Sequence, residues 1–190
     1  MKKEIRRIEF SPSVTDESRT VYGKAISFDT PSNDMGFIEV IHRGAITQEL
    51  LDNSDVFARM NHSDEYVLAR CKNGKGSLML ELRDDGVYYM FDAPKTEKGE
   101  ELLEHIRRGE LFGSSFAFMV DDTPNSERWT KGNGTLHRDI YKIGKLLDIA
   151  PVYSPAYSDT SVSLRAEEIQ KTSAEIDAKM ELIKKELEDL

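Results

Sequence analysis

Residues 78–91 read Leu-Met-Leu-Glu-Leu-Arg-Asp-Asp-Gly-Val-Tyr-Tyr-Met-Phe, and this stretch decides the fold class. Leu78, Leu80 and Leu82 share one parity; after Asp84-Asp85-Gly86 the apolar parity resumes with Val87, Tyr89 and Phe91. Side chains alternate between the two faces of a strand, so alternation, a glycine-containing turn and renewed alternation predict a β-hairpin with one buried face. Outward from it, segments 20–28, 55–60, 113–120, 136–143 and 145–153 also read as strands, separated by Gly, Pro, Asn and Asp. Two helices interrupt them. Gly44–Leu51 carries Ile46, Leu50 and Leu51 at helical spacing, and Thr96–Arg108 groups Leu102, Leu103 and Ile106 before a basic last turn and Gly109. Asp121–Thr135 reads as a long polar loop holding the only tryptophan, Trp129. The expected class is α+β: a mostly antiparallel β-barrel with a few flanking helices, over residues 1–165.

The last 25 residues differ. Ala166–Leu190 contains neither Gly nor Pro, and Ile169, Ile176, Ile183 and Leu190 recur every seven residues with Ser173, Met180 and Leu187 at the complementary spacing. This pattern predicts an amphipathic helical tail over 166–190, either packed on its own domain or serving as a coiled-coil arm for a partner or for self-association.

The whole chain has 190 residues, 38% hydrophobic and 32% charged, with a formal net charge of −9. No apolar run approaches the roughly 20 residues of a bilayer-crossing helix, so no membrane partner is expected. The opening Met-Lys-Lys-Glu-Ile-Arg-Arg-Ile-Glu-Phe has charge but no apolar core behind it, unlike a secretory signal. A single cysteine, Cys71, excludes an internal disulfide and suits a reducing compartment. The acidic balance disfavours nucleic acid, whose phosphates need a cationic footprint. A cytosolic, acidic globular protein is the expectation.

Among the residues able to carry chemistry, His105 lies within the second helix, His42 leads into the first, and His137 follows the polar loop. His62 differs in standing where Val56–Met60 gives way to Asn61-His62-Ser63-Asp64-Glu65, at a strand end where sites concentrate. His62, Asp64 and Glu65 lack the third, correctly spaced ligand that a zinc site requires, so no metal is expected. Cys71 has no nucleophile signature around it. Ser114 and Ser115 follow Gly113 at the head of an apolar strand, compatible with a nucleophile on a rigid support and equally with serines bonded to backbone. Asp148 interrupts the apolar run 146–152; a buried carboxylate is costly unless paired, which predicts a specific partner such as a histidine. A Ser-Lys dyad using Lys142 or Lys145 would need a lysine neutralised by burial.

The order of these pieces resembles the tailed-phage prohead maturation proteases, serine peptidases related in fold to herpesvirus assemblin. Phe37–Ile46, Asn61-His62 with the later Leu68-Ala69-Arg70, Ser114–Phe118, and Leu147–Tyr157 follow one another as that family's four landmarks do. Ile46, Ala69, Ala117 and Asp148 replace an aromatic, two glycines and a glutamate of the family pattern. The resemblance covers about residues 5–165. It implies Ser115 as nucleophile, His62 as general base and Asp148 as orienting acid, with Ser114 the rival nucleophile because adjacent strand residues face opposite ways. It implies no cofactor. It further implies an enzyme enclosed in the immature phage capsid in the bacterial host cytoplasm, cleaving scaffold or the scaffold-like region of the major capsid protein, and itself. A non-catalytic assembly adaptor acting through the tail is the alternative.

Overall fold

The computed structural model describes residues 1–8, 12, 19–132 and 134–153. The expected domain boundary at 165/166 and the helical tail over 166–190 both lie outside the described residues. Residues 1–33 and 37–154 form one compact unit, which holds all the strands and helices of the described residues.

The deciding stretch folds as read. Leu78–Arg83 and Gly86–Asp92 pair antiparallel around Asp84-Asp85, placing Leu78 opposite Phe91, Leu80 opposite Tyr89 and Leu82 opposite Val87. The turn requires its glycine: Gly86 has φ +157°, and a Cβ there would lie 1.9 Å from the Ile26 carbonyl oxygen. In chain order the strands are β1 (Glu4–Ile8), β2 (Thr20–Ser27), β3 (Ile38–Ile41), β4 (Asp55–Arg59), β5 (Val67–Lys72), β6 (Lys75–Gly76), β7 (Leu78–Arg83), β8 (Gly86–Asp92), β9 (Leu111–Val120), β10 (Glu127–Gly132), β11 (Thr135–Ile140) and β12 (Ile143–Tyr153). The helices are α1 (Gln48–Asp52) and α2 (Glu97–Arg107), entered through Thr47 and Thr96, whose side chains accept from the Leu50 and Gly99 amides.

Among the described residues the strands do not close into a barrel. They form a six-stranded sheet in the order β1-β9-β12-β4-β5-β6 and two three-stranded sheets, β10-β11-β3 and β2-β8-β7. Pairing is antiparallel except for β12 with β4 and β11 with β3. The polar segment 121–135, expected as a loop, contains β10 and the start of β11 instead. Trp129 there packs on Phe37 and beneath the Arg138 guanidinium, so a strand with little apolar content is held by an aromatic contact and ion pairs.

The six-stranded sheet has two unlike faces. On one, Phe116 and Phe118 of β9, Ile149 of β12, and Val56 and Ala58 of β4 join the hydrophobic core. The opposite parity brings together Ser115 and Ala117, Asp148 and Ala150, and Phe57 and Arg59, because β9/β12 pairs Ser115 with Ala150 and Ala117 with Asp148, and β12/β4 pairs Asp148 with Phe57.

Strand β1 is anchored by charge. Arg6 and Glu39, respectively 6% and 3% exposed, form a bidentate pair at 2.5 and 2.7 Å; Arg138 bonds Glu39 at 3.0 Å and Glu4 at 2.8 Å. Burial alone would raise the Glu4 carboxyl, but Arg138 and Arg6 hold it below the usual carboxylate range. A buried cluster of this kind costs desolvation that only complete pairing offsets, and here the charges are paired.

Candidate active site

Three elements contribute one side chain each. Ser115 stands on β9, fully buried. Asp148 stands on β12, also fully buried. Their shared face depends on an irregularity: Leu146 pairs with Phe118 but Asp148 pairs with Ala117, so Leu147 is an extra residue in β12. Strict alternation would turn Asp148 to the side of Leu146, into the core; the bulge turns it to the side of Ser115. The two residues then sit one diagonal apart across an antiparallel pair, about 7–8 Å between Cα atoms, a gap an imidazole can span.

His62 spans it. The parallel pairing of β4 with β12 delivers the chain after Arg59 beside Pro151, where the Asn61 amide donates to the Pro151 carbonyl at 3.1 Å. Asn61 and His62 both take left-handed backbone, with φ of 54° and 60°, unusual for residues with a Cβ and found where surrounding structure over-determines a functional turn. His62 Nε2 lies 2.5 Å from Ser115 Oγ, and Nδ1 is in hydrogen-bond contact with Asp148 Oδ1. With an ionised carboxylate at Nδ1, that nitrogen carries the proton and Nε2 offers its lone pair to the hydroxyl.

Two cations attend Asp148. Arg59 Nη1 donates to Oδ2 at 3.0 Å and Lys3 Nζ at 3.4 Å. Burial raises the Asp148 carboxyl, but His62, Lys3 and Arg59 together hold it below the usual carboxylate range, so it is ionised at neutral pH. Arg59 also pairs with Asp64 through Nη2 at 2.9 Å and lies 4.8 Å from the centre of the Phe57 ring. Its Nε is buried with no acceptor among the described residues, an arrangement that costs about 1–3 kcal/mol.

Ser115 Oγ has a second acceptor, the Arg6 backbone carbonyl at 2.7 Å. The hydroxyl has one proton, so it donates to Arg6 O or to His62 Nε2 but not to both. Ser114, the rival, points the other way: its Oγ is 3.0 Å from the Tyr89 hydroxyl, inside the core. Tyr89 reaches it by lying over Gly23, where a Cβ would come within 2.3 Å of the ring. Burial pushes the Tyr89 phenol well up.

The remaining candidates lie elsewhere. Each ring nitrogen of His42 faces a carboxylate, Asp29 at 3.1 Å and Asp139 at 2.7 Å. His105 pairs with Glu110 at 2.5 Å. His137 sits on β11. Asp64 faces Arg59 rather than converging with His62 and Glu65, and no cluster that could hold a metal ion occurs among the described residues. Cys71 is buried, and burial raises its thiol. Lys142 is 55% exposed beside Asp121 and Lys145 is exposed, so neither has the burial a Ser-Lys dyad needs. Arg59 and Lys3 were not marked by the sequence, in which a strand arginine and a terminal lysine look like solvated charges.

The sequence profile of the family described as caudovirus prohead serine protease matches residues 4–175. No curated protein matches the chain. Among solved structures, the bacteriophage T4 capsid assembly protease aligns with a TM-score of 0.46 and 12% identity, over 82% of this chain and 100% of that one.

Proposed function

Because this chain belongs to the caudovirus prohead serine protease family, we propose that it hydrolyses peptide bonds by acyl transfer through Ser115, His62 and Asp148. Ser115 Oγ attacks the scissile carbonyl while His62 Nε2 takes its proton; the imidazolium then returns that proton to the leaving amine. Water enters and repeats the exchange on the acyl-enzyme. Asp148 keeps the proton on Nδ1 and stabilises the imidazolium as it forms. The observation that carries this reading is the unbroken chain Asp148–His62–Ser115, with an acid fully buried yet ionised at one end and a fully buried hydroxyl at the other.

For attack, the hydroxyl proton must face Nε2 and leave the Arg6 carbonyl, so the strand β1 contact competes with the productive bond. The substrates we infer are scaffold or the scaffold-like region of the major capsid protein, and the chain itself, cut inside the immature phage capsid in the bacterial host cytoplasm. Enclosure at high local concentration lets a slow protease suffice. Residues 166–190 would then dock on scaffold, self-associate, or be released by a cut near 163–168.

Co-expression with the capsid protein tests the roles. Ser115→Ala and His62→Ala are expected to abolish processing while Ser114→Ala retains it; equal processing by all variants would refute the triad. Intact mass tests self-cleavage: a chain that stays at 21.6 kDa under assembly conditions would count against it.

A further inference from the structure

We propose that Arg59 is a positioning residue, a two-armed staple that fixes Asp148 and the His62-bearing turn in one geometry. The inference rests on the triad reading above. Arg59 ends β4, three residues before His62. One arm, Nη1, reaches the fully buried Asp148 at Oδ2; the other, Nη2, reaches Asp64, which is 87% exposed and two residues past His62. One planar guanidinium thus spans from the acid on β12 to the far side of the turn.

Two features of the site need such a staple. A carboxylate bonded only to His62 could rotate and offer either oxygen at a range of angles. With Oδ2 held by Arg59, the carboxylate plane is fixed while Oδ1 meets Nδ1. The turn, with two consecutive left-handed residues, departs from the conformation that Asn and His prefer and persists only where outside contacts hold it. The Asn61–Pro151 bond holds its start, and the Arg59–Asp64 pair holds its far side. Lys3 also touches Oδ2, but at 3.4 Å from a side chain 43% exposed, and an ammonium on a flexible stem lacks the planar fork that fixes the orientation of its acceptors. The unsatisfied Nε fits this account, because the guanidinium is oriented by two separated acids rather than by one optimal bidentate pair.

The test measures the rate at which a small fluorophosphonate labels Ser115, followed by intact mass, together with the low-field proton resonance of the His62 N–H facing Asp148. Arg59→Gln is expected to slow labelling roughly 10–100-fold, because small misplacements of a catalytic group cost rates of that order. It should also move or broaden the resonance. Arg59→Lys should recover only part of the rate, and Asp64→Asn, at the exposed end, should slow it about 3–10-fold. Arg70→Gln is the control: Arg70 also lies over the Phe57 ring but pairs with Asp55, so rate and resonance should stay as in the parent. An Arg59→Gln rate within twofold of the parent with an unmoved resonance overturns the proposal. So does an unchanged rate in Asp64→Asn, which decides the matter even where Arg59→Gln does not fold. Labelling indifferent to His62→Ala would instead refute the triad itself, a different failure.

Discussion

Replacing Asp148 with asparagine probes the site with one atom. The amide keeps the shape of the carboxylate, so packing is preserved, but its two ends are no longer alike. Arg59 Nη1 and Lys3 Nζ stand 3.0 and 3.4 Å from the Oδ2 position, and both only donate hydrogen bonds. The amide oxygen must therefore take that position, and the amide NH2 turns to His62 Nδ1. A donor meets a donor unless the imidazole moves its proton to Nε2, and an Nε2 that carries a proton cannot accept one from Ser115. The expected loss is about 10⁴-fold, the size seen when this swap imposes the wrong tautomer in a Ser-His-Asp triad. That corresponds to about 5.5 kcal/mol of transition-state stabilisation. The assay is the second-order rate of Ser115 labelling by a fluorophosphonate, with thermal melting to establish that the variant is folded. A folded Asp148→Asn protein labelled within tenfold of the parent rate would refute the reasoning, because the cations would then not dictate which way the amide faces.

Other outcomes follow from the same contacts. Tyr89→Phe removes the hydroxyl facing Ser114 and should cost about 0.5–1.5 kcal/mol in denaturant titration while leaving Ser115 labelling unchanged, since that bond lies in the core. Gly86→Ala should destabilise by about 2–4 kcal/mol, because its Cβ would collide with the Ile26 carbonyl at a φ that side chains avoid. Glu4 and Asp148 are both held below their usual range, so their stabilisation is complete above the unfolded-state values of about 4.3 and 3.9 and is lost as pH falls through the lower folded values. Urea midpoints should accordingly drop between pH 5 and pH 3, and Glu4→Gln should flatten that drop.

Much of the β framework was legible: the 78–91 hairpin, β2 and β4 alternate between the two faces, and β9 and β12 stand out as strongly apolar runs. Strand β1 was not, because Glu4-Ile-Arg-Arg-Ile8 looks solvated until Glu39 and Arg138 arrive from distant segments to pair with it. Strand β10 was hidden for the same reason, its neighbours being charges and one tryptophan. Closure into a barrel was not encoded in any local pattern; it depends on which edges meet, and here three separate sheets form. At the site, the cost of burying Asp148 predicted a partner from chemistry alone, and His62 is in contact with it. Which of the two serines faces His62 was settled by strand parity, Ser115 turning to the imidazole and Ser114 to Tyr89. Arg59 escaped notice because it is 89 residues from Asp148 and no periodicity links them.

The bulge at Leu147 gives β12 an expansion joint immediately before its acid, whereas Ile149 to Val152 after it pair with Phe116 to Gly113 without interruption. A one-codon deletion of Leu147 would straighten the ladder, leaving Leu146 opposite Phe118 and Asp148 opposite Ala117. The same deletion at Ile149 falls in a regular stretch, and would throw Ala150, Pro151 and Val152 out of phase with Ser115, Ser114 and Gly113. Changes in chain length are therefore tolerable just before this acid and ruinous in the three or four residues just after it, an asymmetry that a comparison of naturally occurring length variants would expose directly.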